Sequence, residues 1–138
     1  MKIDLALKPD FTLMDSFRAI DWEGRGFFDV ATLRDALDTM RLYPSLEEAQ
    51  LLVNRFEGRG GGRVRYSEYC EAITPKSAEY AALLNGRAAF GGGLNAMDGE
   101  TLDQLRRTWQ TFMRVEIAAE SLRQRLDRMP MFSPIEAF

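Results

Sequence analysis

Histidine is absent from the 138 residues, and cysteine occurs once, at Cys70. The first absence excludes Ser-His-Asp and Cys-His catalysis, His-ligated zinc and a histidine pH switch. The second excludes an internal disulfide and a cysteine-cluster metal site, and it fits a reducing compartment. No apolar run approaches the roughly 18 residues of a membrane span. The opening Met1-Lys2-Ile3-Asp4 lacks the apolar stretch of a secretory signal, and Lys2 stands where myristoylation requires glycine. Net charge is small, −3 from 18 basic and 21 acidic residues, which argues against a dedicated nucleic-acid binder. The expectation is an intracellular soluble protein with no membrane contact. What the chain does have is apolar material, 46 % of its residues, beside 28 % charged. That is enough for a core and too much for global disorder, in one domain or one domain with an extension.

Helical spacing begins after Pro9, with Asp10 as the expected N-cap and Leu13, Met14, Phe17 and Ile20 on one apolar stripe. Gly24 and Gly26 end it, and Phe27-Phe28-Asp29 reads as a short extended piece. A second helix, from about Val30 to Met40, carries Leu33, Ala36, Leu37 and Met40, and Pro44 forces a break. Ser45-Leu46-Glu47-Glu48 is a capping box that opens a third helix reaching Phe56. After glycines 58, 60, 61 and 62, Arg63-Val64-Arg65 is a second extended piece, followed by a fourth helix to about Ile73. Helix-loop-helix is written twice. The copies are in register: Asp21 and Glu57 open loops 36 residues apart. That offset pairs Leu13 with Ala49, Phe17 with Val53, Ile20 with Phe56, Gly26 with Gly62, Phe28 with Val64, Leu33 with Tyr69 and Leu37 with Ile73. Apolar meets apolar and glycine meets glycine throughout, as a tandem duplication requires.

Each unit resembles an EF-hand: an apolar residue before a twelve-residue loop, glycine at loop position 6 and an apolar residue at position 8. The pair, over roughly residues 10–74, is similar to one lobe of calmodulin. The resemblance implies an all-α fold in which Gly26 and Gly62 make left-handed turns and Phe28 and Val64 join the loops through a two-stranded bridge. Segments of 1–9 (N-terminal), 75–99 (a short helix and a Gly-rich connector) and 100–138 (a long helix and an apolar tail) complete the organisation.

The resemblance also implies calcium ligands at loop positions 1, 3, 5, 7, 9 and 12. Loop one offers Asp21, Glu23 and Asp29, but Arg25 at position 5 is a cation and Thr32 at position 12 cannot give two oxygens. Its charges sum to −2. Loop two keeps Glu57 and Glu68 but carries Arg59, Arg63 and Arg65, and sums to +1. Calcium affinity rises with ligand charge, so loop two is expected not to bind and loop one to bind weakly at best. An arginine, Arg59 or Arg65, is expected to take the cation's place in loop two by pairing with Glu57 or Glu68. The Gly58–Arg63 stretch lacks the ending of a phosphate loop and fits an EF-hand loop better. Cys70 is expected to be a small buried thiol, and Trp22, at loop position 2, to face solvent as a partner contact or a packing site for the tail. Glu47-Glu48 and Asp21-Glu23 read as helix-start and loop residues; no nucleophile accompanies them, and no enzyme is expected.

After Ile73, Pro75 suits the first turn of another helix bearing Tyr80, Leu83 and Leu84 on one side. Residues 86–99 are small and glycine-rich and read as an irregular or mobile connector. From Glu100 neither glycine nor proline occurs until Pro130, which predicts a helix of up to about 29 residues. Leu102, Leu105, Trp109, Phe112 and Met113 share one face; Ala119, Leu122, Leu126 and Met129 share another, turned by roughly 110°. The first half is therefore expected to fold back on the lobe through Trp109 and Phe112, and the distal half, with Leu122 and Leu126, to meet a partner chain.

An open lobe of this family grips an amphipathic helix, and the groove here would be lined by Met14, Phe17, Leu33, Leu37, Met40, Leu51, Leu52 and Ile73. The chain looks like the calmodulin-related light chains and structural EF-hand subunits of motors and of ciliary or other microtubule-based assemblies. The implied function is a non-catalytic, calcium-independent adaptor without cofactor, in a cytoplasmic, cytoskeletal setting such as an axoneme. The rivals are a weak calcium switch at Asp21, Glu23 and Asp29, and an RNA-associated adaptor using Arg59, Arg63 and Arg65.

Overall fold

The computed structural model describes residues 2–57, 61–91 and 93–128. Among these the architecture is all-α. Helices α1 (Lys2–Ala6), α2 (Leu13–Ile20), α3 (Val30–Thr39), α4 (Leu46–Phe56), α5 (Tyr66–Ile73), α6 (Ala78–Asn85) and α7 (Gly99–Asp127) are joined by one two-stranded ladder. None of them is long and apolar enough to cross a membrane.

Local chemistry sets the helix ends. Thr12 is the N-cap of α2, accepting from the Asp15 N–H at 3.1 Å. Asp10 is therefore not the cap; its carboxylate instead accepts from the Asp98 N–H (2.6 Å) and the Thr101 hydroxyl (2.5 Å), fastening the start of α7. Helix α3 ends before Pro44 is reached: Arg41 adopts a left-handed φ of 63°, and the Leu42 N–H bonds back to the Leu37 carbonyl. The predicted capping box at Ser45 and Glu48 opens α4, with bonds of 3.1 and 2.8 Å. Pro75 lies before the next helix, which starts at Ala78 behind the N-cap Ser77.

The two helix-loop-helix units, α2–α3 and α4–α5, meet through an antiparallel ladder of β1 (Phe27–Phe28) and β2 (Val64–Arg65) in which Phe28 pairs with Val64. Beneath it lies an aromatic cluster. Phe17 packs on Phe28, Tyr66 and Tyr69 with centroids 5.3–5.9 Å apart, and Phe28 meets Tyr69 edge-on at 6.1 Å. The Tyr69 hydroxyl, fully buried, donates to Ser16 Oγ at 2.8 Å, so α5 is tied to α2 by a polar bond as well.

Two parts of the sequence make contacts that no local signal announces. Residues 2–6 form a helix whose Leu5 and Ala6 are buried in the core. Arg87 donates to the carbonyl of Ala6 at the helix end and to those of Lys8 (2.6 Å) and Phe11 (2.9 Å) in the turn that follows. The connector after Gly86 is held rather than loose. The buried Asp15 carboxylate accepts from the N–H groups of Phe90 and Gly91, each at 2.9 Å, and from the Thr12 hydroxyl at 2.7 Å. A 3-10 turn, Gly93–Ala96, then leads to Met97, which enters the core.

Hydrogen bonds to a charged acceptor contribute more than neutral ones. Asp15→Ala is therefore expected to cost about 2 kcal/mol. Native-state hydrogen exchange should show Phe90 and Gly91 losing protection first; unchanged protection at both amides would refute the pin.

Candidate functional site

The paired loops come first. Asp21 and Glu57 close their loops in the same way: Asp21 accepts from the Gly26 N–H at 2.7 Å and Glu57 from the Gly62 N–H at 2.8 Å. Gly26 (φ 87°) and Gly62 (φ 71°) are left-handed, a conformation that a side chain would strain. Asp29 and Thr32 exchange reciprocal capping bonds at the start of the exiting helix, and at the matching place Glu68 accepts the Arg65 N–H at 3.0 Å. Every one of these pairs recurs at the 36-residue offset seen in the sequence.

Beside this frame stand two arginines, Arg25 and Arg63. Arg25 extends to Asp29 at 3.8 Å, and its guanidinium lies 4.8 Å from the Phe27 ring centre. Arg63, from the other loop, lies 4.5 Å from the same ring. Phe27 is thus flanked by an arginine from each loop, a contact that no local sequence signal announces. Asp21 also takes the Arg25 N–H at 2.9 Å, so both its oxygens are engaged, while Glu23 is exposed. Among the described residues no three Asp, Glu or Cys side chains come together to hold a metal ion. The arginine expected in loop two as Arg59 lies outside the described residues. Trp22 is 72 % exposed.

Of the expected groove residues, Phe17, Leu33, Leu37, Leu52 and Ile73 are buried, and Met14, Met40 and Leu51 are half-buried. Helix α7 packs against the two units. Trp109 is fully buried, stacked on Tyr69 at 6.3 Å and edge-on to Phe56 at 5.3 Å. Phe112 closes the group at 5.4 Å from Phe56 and 5.7 Å from Trp109. Polar contacts fix the placement: Arg106 donates to the Met40 carbonyl at 3.1 Å, and Arg55 pairs with Glu116 at 3.2 Å. The Trp109 indole N–H has no hydrogen-bond partner among the described residues. Cys70 is half-buried, and burial pushes its thiol above the usual range.

Beyond Glu116 the helix leaves the body. All residues from 121 to 128 are exposed, and Leu122 and Leu126 are 51 % and 41 % exposed. Trp109 and Phe112 are thus brought to the lobe, whereas Leu122 and Leu126 are not. The ion pairs Asp103–Arg107 (2.9 Å) and Glu120–Arg123 (2.6 Å) lie on exposed faces, where solvent screens them. No protein-family model and no curated protein matches the chain.

Two expectations follow. Trp109→Ala opens a cavity beneath α7 and is expected to cost about 3–5 kcal/mol. Trp109→Phe also removes the unpaired N–H, whose burial costs about 1–3 kcal/mol, so it should lose far less in urea denaturation. The Asp29 carboxyl is held below the usual range, first by the Thr32 N–H acting against desolvation, then by the Thr32 hydroxyl and Arg25. A lowered folded pKa stabilises above the ordinary carboxyl value, and that contribution disappears as pH falls through the lowered one. Asp29→Asn should therefore be less stable than the native chain at about pH 6, with the gap closing below about pH 4. A gap independent of pH would count against this role.

Proposed function

We propose that this chain is a non-catalytic, calcium-independent adaptor built on an EF-hand-type pair. Its own helix α7 fills the groove, and the free half of that helix meets a partner helix in a larger assembly. The observation that carries this is the state of the loops. Their first-position carboxylates accept backbone N–H groups of their own loop, and an arginine stands where a ligand oxygen would be needed. The left-handed glycine at position 6, the ladder residue at position 8 and the position-12 side chain that accepts the position-9 N–H support the EF-hand-type assignment. Arg25 and Arg63 beside Phe27 support calcium independence, because each repels a divalent cation approaching the loops. The resemblance to motor light chains and ciliary subunits supports a cytoskeletal setting.

Calorimetric titration of the full chain with calcium, with magnesium as the control, is the direct test. No saturable heat is expected up to about millimolar calcium, and binding near micromolar would overturn the calcium-independent reading. The EF-hand-type frame has its own test. Arg25→Asp with Thr32→Glu replaces the cation and supplies the position-12 carboxylate. This double variant should gain calcium binding in the range of about 10 µM to 1 mM; no gain in a folded variant would sink the frame.

A further inference from the structure

From Val115 onward four apolar residues of α7, Val115, Ala119, Leu122 and Leu126, keep a 4-3-4 spacing, which is the seam of a two-stranded coiled coil; Ile117 and Ala118 lie outside it. This seam differs from the face that packs on the lobe. Val115 is 57 % exposed and shares the lining of a cavity of about 500 Å³ with Phe56 and Phe112, between α4, α5 and α7. An apolar track therefore starts at this cavity and continues onto the overhang. Arg123 and Arg125 flank the seam on opposite sides, in the positions that face a partner helix across its rim. The one carboxylate on that rim, Glu116, is engaged by Arg55. Glu120, which holds Arg123, sits outside the rim on an exposed surface, where such pairs exchange easily.

We propose that the overhang of α7 is a docking seam for an amphipathic helix with acidic flanks, which lies along Val115, Ala119, Leu122 and Leu126 and meets Arg123 and Arg125 with its carboxylates. This builds on the adaptor reading by giving the partner's chemistry. A second copy of the chain fits less well, because its own rim offers no free carboxylate to either arginine. At the cavity end three cations, Lys2, Arg55 and Lys76, stand among three carboxylates. The Lys2 ammonium there is held below the usual lysine range by burial and then by Lys76 and Arg55. Of the carboxylates around that cavity, Glu116 is paired with Arg55 and Glu68 accepts the Arg65 N–H at 3.0 Å, while Glu71 is exposed.

The test uses the full chain and two labelled four-heptad peptides with leucine at every seam position, one with glutamate and one with lysine on both flanks. Fluorescence anisotropy should show the glutamate-flanked peptide binding at least about tenfold more tightly, a difference that shrinks as salt is raised. Leu122→Asp with Leu126→Asp, at exposed positions that leave the core intact, should abolish binding. Arg123→Glu with Arg125→Glu should reverse the preference toward the lysine-flanked peptide. Equal binding of both peptides, or none up to about 100 µM, overturns the proposal. So does sedimentation showing a concentration-dependent dimer that Leu126→Asp abolishes, since a second copy would then hold the seam. None of these readouts involves calcium or the loops, so failure here is distinguishable from failure of the EF-hand-type frame.

Discussion

The burial of Tyr69 is the constraint on which the other contacts depend. Its ring meets Phe17 and Phe28 of the first unit on one side and Trp109 of α7 on the other, and its hydroxyl closes on Ser16. Burial keeps the phenol protonated: desolvation pushes its pKa up, against the smaller lowering effect of the bond to Ser16. One side chain thus couples the duplicated units to each other and to the third element laid across them. A buried aromatic group satisfied at its polar end gives large apolar contact without the penalty of an orphan hydroxyl. Trp109, with its indole N–H unpaired, does not share that advantage.

The loops show how a fold can keep its turn geometry while its charge pattern changes. Turn closure needs only a carboxylate at the first loop position and a left-handed glycine five residues on; both units retain these. The sign of the charge nearby is a separate variable. Arg25 and Arg63 approach the half-buried Phe27 ring without disturbing the ladder beside it.

Most of the helical framework was legible in the sequence because it is written locally. The apolar stripe of residues 13–20, the capping box at Ser45 and the absence of glycine and proline after Glu100 all lie within a few turns of what they specify. The all-α class follows from them, and α7 has the 29-residue length that this absence allowed. The parts that were not legible depend on partners far along the chain. Asp15 looks like an ordinary first-turn acid, and nothing near it shows that it holds Phe90 and Gly91. Arg87 looks like a solvated charge, yet it caps a helix about 80 residues earlier. Helix α1, with five residues, is too short for periodicity to reveal. At the candidate seam, Leu122 and Leu126 stood out by spacing, but Val115 was attached to neither face.

Helix α7 is uninterrupted from the lobe to Asp127, so the body and the overhang share a single rotational phase. The last contact with the body, at Glu116, and the end of the helix are about 17 Å apart. Over that span each residue advances the bearing of its side chain by about 100°. One residue inserted between Glu116 and Ala119 would leave composition, charge and helix propensity nearly unchanged, yet it would swing the seam by more than a quarter turn around the helix axis. A heptad inserted there would restore the azimuth to within about 20° and add about 10 Å of reach. The direction in which this molecule presents its free edge is therefore fixed by residue count along one rod.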